Sequence, residues 1–383
     1  MVFEKKYDID ANQQNIIVVS LTEACNLQCK YCYMVGKNKL NTLSLSVAKK
    51  IIDFVLTNRQ IFNKDKVIWD FIGGEPFLEI ELLTEVTEYL CTKMKKRQHP
   101  WKNSFTIRIL TNGILYDSHK VQKYIEKYHD VLTIGFSLDG SKEKHNAQRV
   151  FSNGQGSYDL VVKNVPLWLS QFPNAYSKAT FSHDDLPLLK DSIINLWSLG
   201  IKDISANIVF ENVWDKNDPT IFEKQLCDLA DYIIQHKIHE KDGYYLKFFD
   251  FGLLKPFESN LQNKPYCPAG IDEFAFDYSG KIYPCVRFLD FSLKNKKGFS
   301  LGNIHNGIDQ SKLDIFASLT RKNIDQPKCL KCNVKAGCAT CAALNYDDSK
   351  ENCNFTRTTY TCDMHKANVR AVKYLNEKIM EVP

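Results

Sequence analysis

Cys25-Asn26-Leu27-Gln28-Cys29-Lys30-Tyr31-Cys32 follows the apolar run Ile16 to Leu21, three residues after that run ends. Three thiols crowded onto one loop at the mouth of a strand can hold three corners of a cubane iron-sulfur cluster, because Cys thiolates are the usual ligands of such clusters. One iron is then left without a protein ligand, and an open iron is where a small molecule can chelate. The loop therefore reads as a reaction centre. The alternative is a structural zinc knuckle, but that needs four ligands in tetrahedral geometry, and no fourth Cys or His lies nearby in the sequence.

The chain around this loop has 383 residues, enough for a large core in two or three domains or in one barrel with an appendage. Its formal net charge of +5 is spread along the chain, so there is no clustered basic stripe of the kind that binds nucleic acid. Lys93, Lys95, Lys96 and Arg97 end a helical pattern, where cations suit the helix dipole. No stretch approaches the roughly eighteen apolar residues of a membrane span, and residues 1–15 lack the apolar core of a signal peptide. The expectation is a cytoplasmic protein with neither a nucleic-acid nor a membrane partner.

Thirteen cysteines in a long chain with no secretion signal point to metal or catalysis more than to disulfides. Between Cys32 and Cys267 only Cys91 and Cys227 occur, both inside helical patterns where a small packed thiol is expected. The other eight fall between Cys267 and Cys362. Two Cys-rich regions thus flank a Cys-poor body.

That body alternates short β-rich runs (Ile16–Leu21, Lys66–Ile72, Phe105–Leu110, Val131–Ser137, Ala179–Ser182, Ile204–Phe210) with helical stretches near Ser44–Asn58, Glu79–Lys96, Asp117–Lys127, Tyr158–Ser170, Asp185–Leu199 and Pro219–Gln235. Six such units predict an α/β fold, a partial (β/α)6 barrel of the TIM type over residues 16–238, with its site at the carboxyl ends of the strands. Several chemically suggestive residues fall there. Gly73-Gly74-Glu75-Pro76 follows the second run; its glycines allow close backbone approach and Glu75 supplies an acceptor for an amino group. Asn112 and Asp139 each precede a Gly at a strand end, which turn chemistry alone would also explain. Asp184 and Asp185 read as the cap of the next helix.

The Cys25/Cys29/Cys32 spacing and the Gly73–Pro76 stretch resemble the signatures of radical S-adenosylmethionine (SAM) enzymes. That resemblance implies a [4Fe-4S] cluster on the three cysteines whose open iron takes the amino and carboxylate groups of SAM, and a 5'-deoxyadenosyl radical formed by reductive cleavage. It further implies that Gly73, Gly74, Glu75 and Pro76 bind the methionine amino group, that Ser137 and Arg149 contact its carboxylate, and that Asn112 and Asp139 line the ribose side. Ser182 is a further candidate. Tyr31 either lies against the adenine or packs under the loop.

After a connector at 239–264, residues 265–365 resemble the SPASM extension of this superfamily, and residues 366–383 read as a terminal helix. The signature runs Cys267, Gly280, Cys285, then Cys329-x2-Cys332-x5-Cys338-x2-Cys341, then Cys353 and Cys362. Carried over, Cys267, Cys285 and Cys341 hold auxiliary cluster one, and Cys329, Cys332, Cys338 and Cys362 hold auxiliary cluster two, making three [4Fe-4S] clusters in all. A pair of zinc sites is the alternative. The sequence departs from the pattern of sulfatase-maturating enzymes in three ways. The Cys338–Cys341 spacing is one residue shorter. No Cys lies between Pro268 and Phe274, so auxiliary cluster one has three protein thiols and room for an outside thiolate. Val286 stands where those enzymes place a general-base Asp, and Val cannot remove a proton.

The resemblance therefore points to a maturase of a ribosomally made, Cys-containing precursor peptide that forms a sulfur-to-carbon thioether, supplied with electrons by a flavodoxin or ferredoxin. Carbon–carbon crosslinking, epimerisation and formylglycine formation are alternatives within the superfamily; an iron-sulfur electron carrier is the alternative outside it, though a carrier has no need of a methionine pocket. Only fifteen residues (1–15) precede the first run, too few for a leader-recognition domain. The leader is then held by the body, by a separate leader-binding protein, or hardly at all.

Overall fold

The computed structural model describes residues 13–351 and 354–381. Six parallel strands stand side by side in chain order: β1 (Gln14–Thr22), β2 (Lys66–Gly73), β3 (Phe105–Thr111), β4 (Leu132–Phe136), β5 (Tyr176–Phe181) and β6 (Asp203–Ile208). The helices between them are α1 (Leu45–Thr57), α2 (Ile80–Lys96), α3 (His119–Tyr128), α4 (Lys142–Gln148), α5 (Tyr158–Val162), α6 (Val165–Gln171) and α7 (Leu189–Ser198), with α8 (Asp218–Gln235) after the last strand. The expected βα alternation is therefore present.

Two expected helices begin or break differently. The pattern over Tyr158–Ser170 splits into α5 and α6, because Pro166 has no N–H to donate to the carbonyl four residues back and is instead accommodated in the first turn of α6. Asn164, at the break, turns its side chain to donate to the Gly113 carbonyl at 2.8 Å. Ahead of α7 the chain winds as a tighter 3-10 segment, His183–Leu188, which accommodates Pro187.

The sheet runs on past these strands. Beyond β6 lies β7 (Tyr245–Leu246), and on the other edge β8 (Glu273–Phe276) adds parallel to β1, followed by β9 (Lys281–Tyr283), β10 (Gly302–Asn303) and β11 (Gly307–Ile308). The Cys-rich C-terminal region thus shares one eleven-stranded sheet with the body. The terminal helix Cys362–Glu381 packs back along α8, where Tyr374 donates to Asp231 at 2.8 Å.

The two faces of the sheet differ. Val67, Trp69 and Phe71 of β2, Ile107 and Ile109 of β3, and Ile134 and Phe136 of β4 are buried under the helices, with Phe136 stacked on Trp168 of α6 at 4.2 Å. Large apolar side chains like these contribute roughly 1.5–3 kcal/mol each when fully buried. The alternate residues, Asp70, Arg108, Tyr176, Lys178 and Glu273 among them, face inward. Glu273 on β8 feels the charge of Arg108 on β3, and Lys178 on β5 feels Asp70 on β2. Each pair is three strands apart, about 14 Å on a flat sheet, so the sheet curls into a polar trough. Among the described residues no helix is long and apolar enough to cross a membrane.

Candidate functional site

The cluster loop is seated by the segments that leave β2, β3 and α4. At the end of β2, Gly74 N–H donates to the Thr22 carbonyl and Glu75 N–H to the Ala24 carbonyl, both at 2.9 Å. A Cβ on Gly74 would lie 2.2 Å from the Ala24 oxygen and 2.8 Å from the Cys25 Cβ. The glycines thus give close approach, and what approaches is the backbone of the cluster loop. Gln28 N–H and Lys30 N–H donate to the carbonyls of Val150 and Gln148 at 2.7 and 2.9 Å, tying the loop's far side to the end of α4.

Glu75 is buried. One of its oxygens accepts from Thr111 Oγ1 at 2.7 Å and Phe77 N–H at 3.1 Å, and the other from Asn112 N–H at 2.8 Å. Burial pushes its pKa up, against the pull of these hydrogen bonds. Asn112 in turn donates from Nδ2 to Asn26 Oδ1 inside the cluster loop at 2.7 Å, while its own Oδ1 accepts from Ile114 N–H at 3.1 Å in the turn. Glu75 and Asn112 therefore fix the loop's position as well as facing it.

On the opposite side lies a buried charge network. Asp139 is fully buried; it accepts from Arg149 Nε at 3.0 Å, from Thr180 N–H at 3.2 Å and from the Tyr31 hydroxyl, with Lys144 Nζ at 3.3 Å. Burial alone would raise its pKa, but Arg149 and Lys144 outweigh burial and hold it well below the usual carboxylate range. Its hydroxyl bond to Asp139 fixes the Tyr31 ring between the cluster loop and the charge network. Arg149 also points Nη1 at Cys29 Sγ, 3.8 Å away. Lys144 is wholly buried between Asp139, Asp185 at 3.5 Å and the Thr180 carbonyl. Ser182 and Asp185 form the cap of the 3-10 turn, Ser182 N–H donating to Asp185 at 2.7 Å, and Ser137 N–H donates to the Thr111 carbonyl at 2.8 Å.

Metal-free, the thiols of Cys25 and Cys29 are pushed up by burial, Cys25 to about 11. Their surroundings nevertheless suit charged sulfur: Leu27 N–H points at Cys25 Sγ at 3.4 Å and the Arg149 cation at Cys29. A bound cation reverses such a shift by deprotonating its thiols outright. Cys25, Cys29 and Cys32 are thus apt to hold three irons of a cubane.

The C-terminal cysteines fall into two groups. Burial raises the Cys267 thiol to about 12 and that of Cys285 well above its ordinary value, and each lies within the electrostatic reach of the other and of Cys341. Beside them stands Glu273, whose carboxyl burial pushes up to about 7, and Arg287 pairs with Glu211. Cys329, Cys332, Cys338 and Cys362 line a single cavity of about 110 Å³ with Arg321, Lys335, Arg357 and Lys366 around it. Arg357 donates to Cys338 Sγ at 2.8 Å and pairs with buried Asp325 at 3.1 Å. Four thiols facing one cationic cavity fit an anionic cubane. Among the described residues, no three His, Cys, Asp or Glu side chains are close enough together to hold a single metal ion. Cys91 and Cys227 sit half-buried on α2 and α8, and Cys353 lies outside the described residues.

Sequence reasoning missed Lys144, Gln148, Asn26, Arg321 and Arg357, which brace the thiols or the charges beside them. Only Lys144 left a trace, as a third basic residue with His145 and Arg149 on the short helix after Asp139.

Three cysteines on the loop after β1, braced at the carboxyl ends of a parallel α/β sheet, are the arrangement of a radical SAM domain, and residues 19–180 match the Radical SAM superfamily. The Cys-rich region from Cys267 to Cys362 lies beyond that match. It is 27% identical over 288 residues to the antilisterial bacteriocin subtilosin biosynthesis protein AlbA of Bacillus subtilis, which covers 74% of this chain and 56% of AlbA; the chain thus spans little more than half of that relative. It is 24% identical over 360 residues to the Cys-type anaerobic sulfatase-maturating enzyme of Clostridium novyi, 89% of this chain and 85% of the enzyme. The fold matches the solved structure of native anSMEcpe with bound AdoMet at a TM-score of 0.72, with 19% identity, over 96% of this chain and 99% of the other.

Proposed function

We propose that this protein is a radical SAM peptide maturase that joins a Cys sulfur of a ribosomally made precursor to a carbon of the same peptide. One relative is named for the biosynthesis of a bacteriocin and the other for the maturation of a sulfatase. The observation that carries the finer reading is the grouping of Cys267, Cys285 and Cys341 with no fourth Cys in the stretch 268–274, where Glu273 stands instead. Such a set can hold a cubane and leave one position for a substrate thiolate. Against formylglycine formation, Val286 supplies no base beside Cys285.

When bound, SAM and its cluster on Cys25, Cys29 and Cys32 supply a 5'-deoxyadenosyl radical that takes a hydrogen atom from a substrate carbon. The chain's own residues set the stage for this. Glu75 and Asn112 hold the cluster loop, and Glu75 with Gly73, Gly74 and Pro76 offers acceptors for the methionine amino group. Arg149, anchored by Asp139, and Ser137 offer donors to the carboxylate, and Asn112 and Ser182 flank the remaining strand ends. Cys329, Cys332, Cys338 and Cys362 would hold the outer cluster, which would supply one-electron chemistry when bound; Arg357 donates to Cys338 beside it, and a flavodoxin or ferredoxin is the external electron donor. A separate leader-binding protein is compatible with this arrangement.

Anaerobic incubation of the reconstituted protein with SAM, dithionite and a Cys-rich precursor encoded beside it tests the reading. The expected product has lost two hydrogens per crosslink, one recovered on 5'-deoxyadenosine, and its crosslinked sulfurs resist alkylation. A product with every thiol alkylatable overturns thioether formation; absence of 5'-deoxyadenosine overturns the whole reading.

A further inference from the structure

One inward-facing cation has no partner for its charge. Lys178 lies in mid-β5, flanked by buried Ser177 and Ala179, which point toward the helices, so its own side chain enters the trough. Its neighbours on that face of the strand are Tyr176 below and Thr180 above, and Ser205 stands opposite on β6. Solvent reaches the side chain, yet protein walls surround it and depress its pKa. Among the described residues it has no hydrogen bond or ion pair, unlike Arg108, which is paired with Asp70 at 2.7 Å, Arg287, paired with Glu211, and Arg149, paired with Asp139.

Two residues along the same face of β5, Thr180 donates its backbone N–H to Asp139 at 3.2 Å, which ties this part of the strand to the first cluster site. Arg149, Lys247 and Arg287 are among the cations that act on Lys178, and Asp70 opposes them. Arg149 points at Cys29 of the first cluster loop, and Arg287 is drawn toward Cys341 and Cys285 of the second site. A peptide residue that meets the radical while a neighbouring sulfur rests at Cys267, Cys285 and Cys341 must cross this part of the trough. An ammonium there with no partner of its own favours a ligand carrying negative charge, because charge complementarity in a cleft selects the matching ion and rejects the like one.

We propose that Lys178 is a specificity residue that binds a carboxylate of the peptide substrate, the side chain of an Asp or Glu next to the modified position. This deepens the maturase reading and rests on it for the peptide, but not for the bond formed. SAM also carries a carboxylate, and the test separates the two sources.

The probes are three twelve-residue Cys-containing peptides, alike except for Glu, Gln or Lys beside the Cys, with binding followed by fluorescence anisotropy on the reconstituted, SAM-loaded protein. The wild type is expected to bind the Glu peptide at least roughly tenfold more tightly than the Gln peptide, and the Lys peptide least tightly of all. Lys178→Met should erase the Glu-over-Gln preference, and Lys178→Glu should turn it toward the Lys peptide; Lys178→Arg should keep part of it, with iron content serving as the check on folding. Equal binding of the Glu and Gln peptides by the wild type, or a preference that survives in Lys178→Met, overturns the proposal. So does a fall in affinity for SAM alone in Lys178→Met, which would assign the cation to the cofactor's carboxylate. Because binding is read without turnover, a charge preference can hold even where no thioether forms, and only the maturase reading would then fail.

Discussion

Arg149 and Cys29 are 120 positions apart in the chain, yet Nη1 of the one points at Sγ of the other across 3.8 Å while the same guanidinium holds Asp139 at 3.0 Å. One side chain thus joins a buried carboxylate to the first cluster site. Arg149→Met should leave Asp139 facing Lys144 alone and cost on the order of 3–5 kcal/mol, the usual penalty for breaking a buried pair on one side. Denaturant titration of wild type and variant checks the loss. Arg149→Lys should recover part of it, as a point charge without the fork.

Gly74→Ala should unseat the cluster loop, since the added carbon would meet the Ala24 carbonyl at 2.2 Å, inside any tolerable contact. Overpacking of this kind costs about 1–3 kcal/mol even where the core can shift, and here the obstacle is backbone. Iron content is expected to fall by the share belonging to the first cluster, with cleavage of SAM lost. Full iron content and unchanged cleavage would show that the loop does not depend on this approach.

His145 gives a pH dependence with a defined sign. Its Nδ1 accepts from Asp139 N–H at 3.3 Å and its Nε2 faces Ser157 Oγ at 3.0 Å, a hydroxyl already donating to the Arg149 carbonyl, so the ring is neutral with its proton on Nε2. Burial, reinforced by Arg149 and Lys144 and opposed by Asp139, lowers its pKa to about 3. The unfolded chain takes up the proton near pH 6.5, so between about pH 6.5 and 3 acid favours unfolding, and stability falls by about 1.4 kcal/mol per unit. Above that window both states are neutral and the dependence vanishes. The stability difference between wild type and His145→Gln should shrink on acidification with this slope; a difference independent of pH would rule it out.

Arg357→Met removes the donor to Cys338 Sγ and leaves Asp325 buried beside Arg321 alone. The outer cluster's reduction potential is expected to fall, because hydrogen bonds to the sulfurs help to set it. Asp325→Asn combined with Arg357→Met should be less destabilising than Arg357→Met by itself, since the double change removes both members of the more buried pair and leaves only the less buried Arg321 without its carboxylate. An EPR-monitored redox titration with parallel melting curves reads both effects.

The strand-and-helix order was legible because β-branched runs such as Ile16–Leu21 alternate with patterns of apolar residues three and four apart, and both periods survive burial. The three-cysteine loop and the Gly73–Pro76 stretch stood out because their chemistry is concentrated in a few adjacent positions. The network around Asp139 was legible only in part: Lys144 and Arg149 come from the short helix that follows it, but Tyr31 reaches it from the cluster loop and Thr180 from β5, and only the fold brings these together. Pairing of β8 with β1 was equally hidden, since Glu273–Phe276 lies some 250 residues beyond its partner and nothing local marks it as an edge of the same sheet. Lys178 lay just outside the expected run Ala179–Ser182, and a trough wall and an outer surface share the same sequence signature.

That late pairing bears on how the chain is made. Until residues 273–276 emerge from the ribosome, the outer edge of β1 has no partner, and a row of free amide and carbonyl groups waits through the synthesis of the whole body. Expression of residues 1–238 alone should leave that edge open for good and give aggregated material, whereas the full chain closes it with its own C-terminal third.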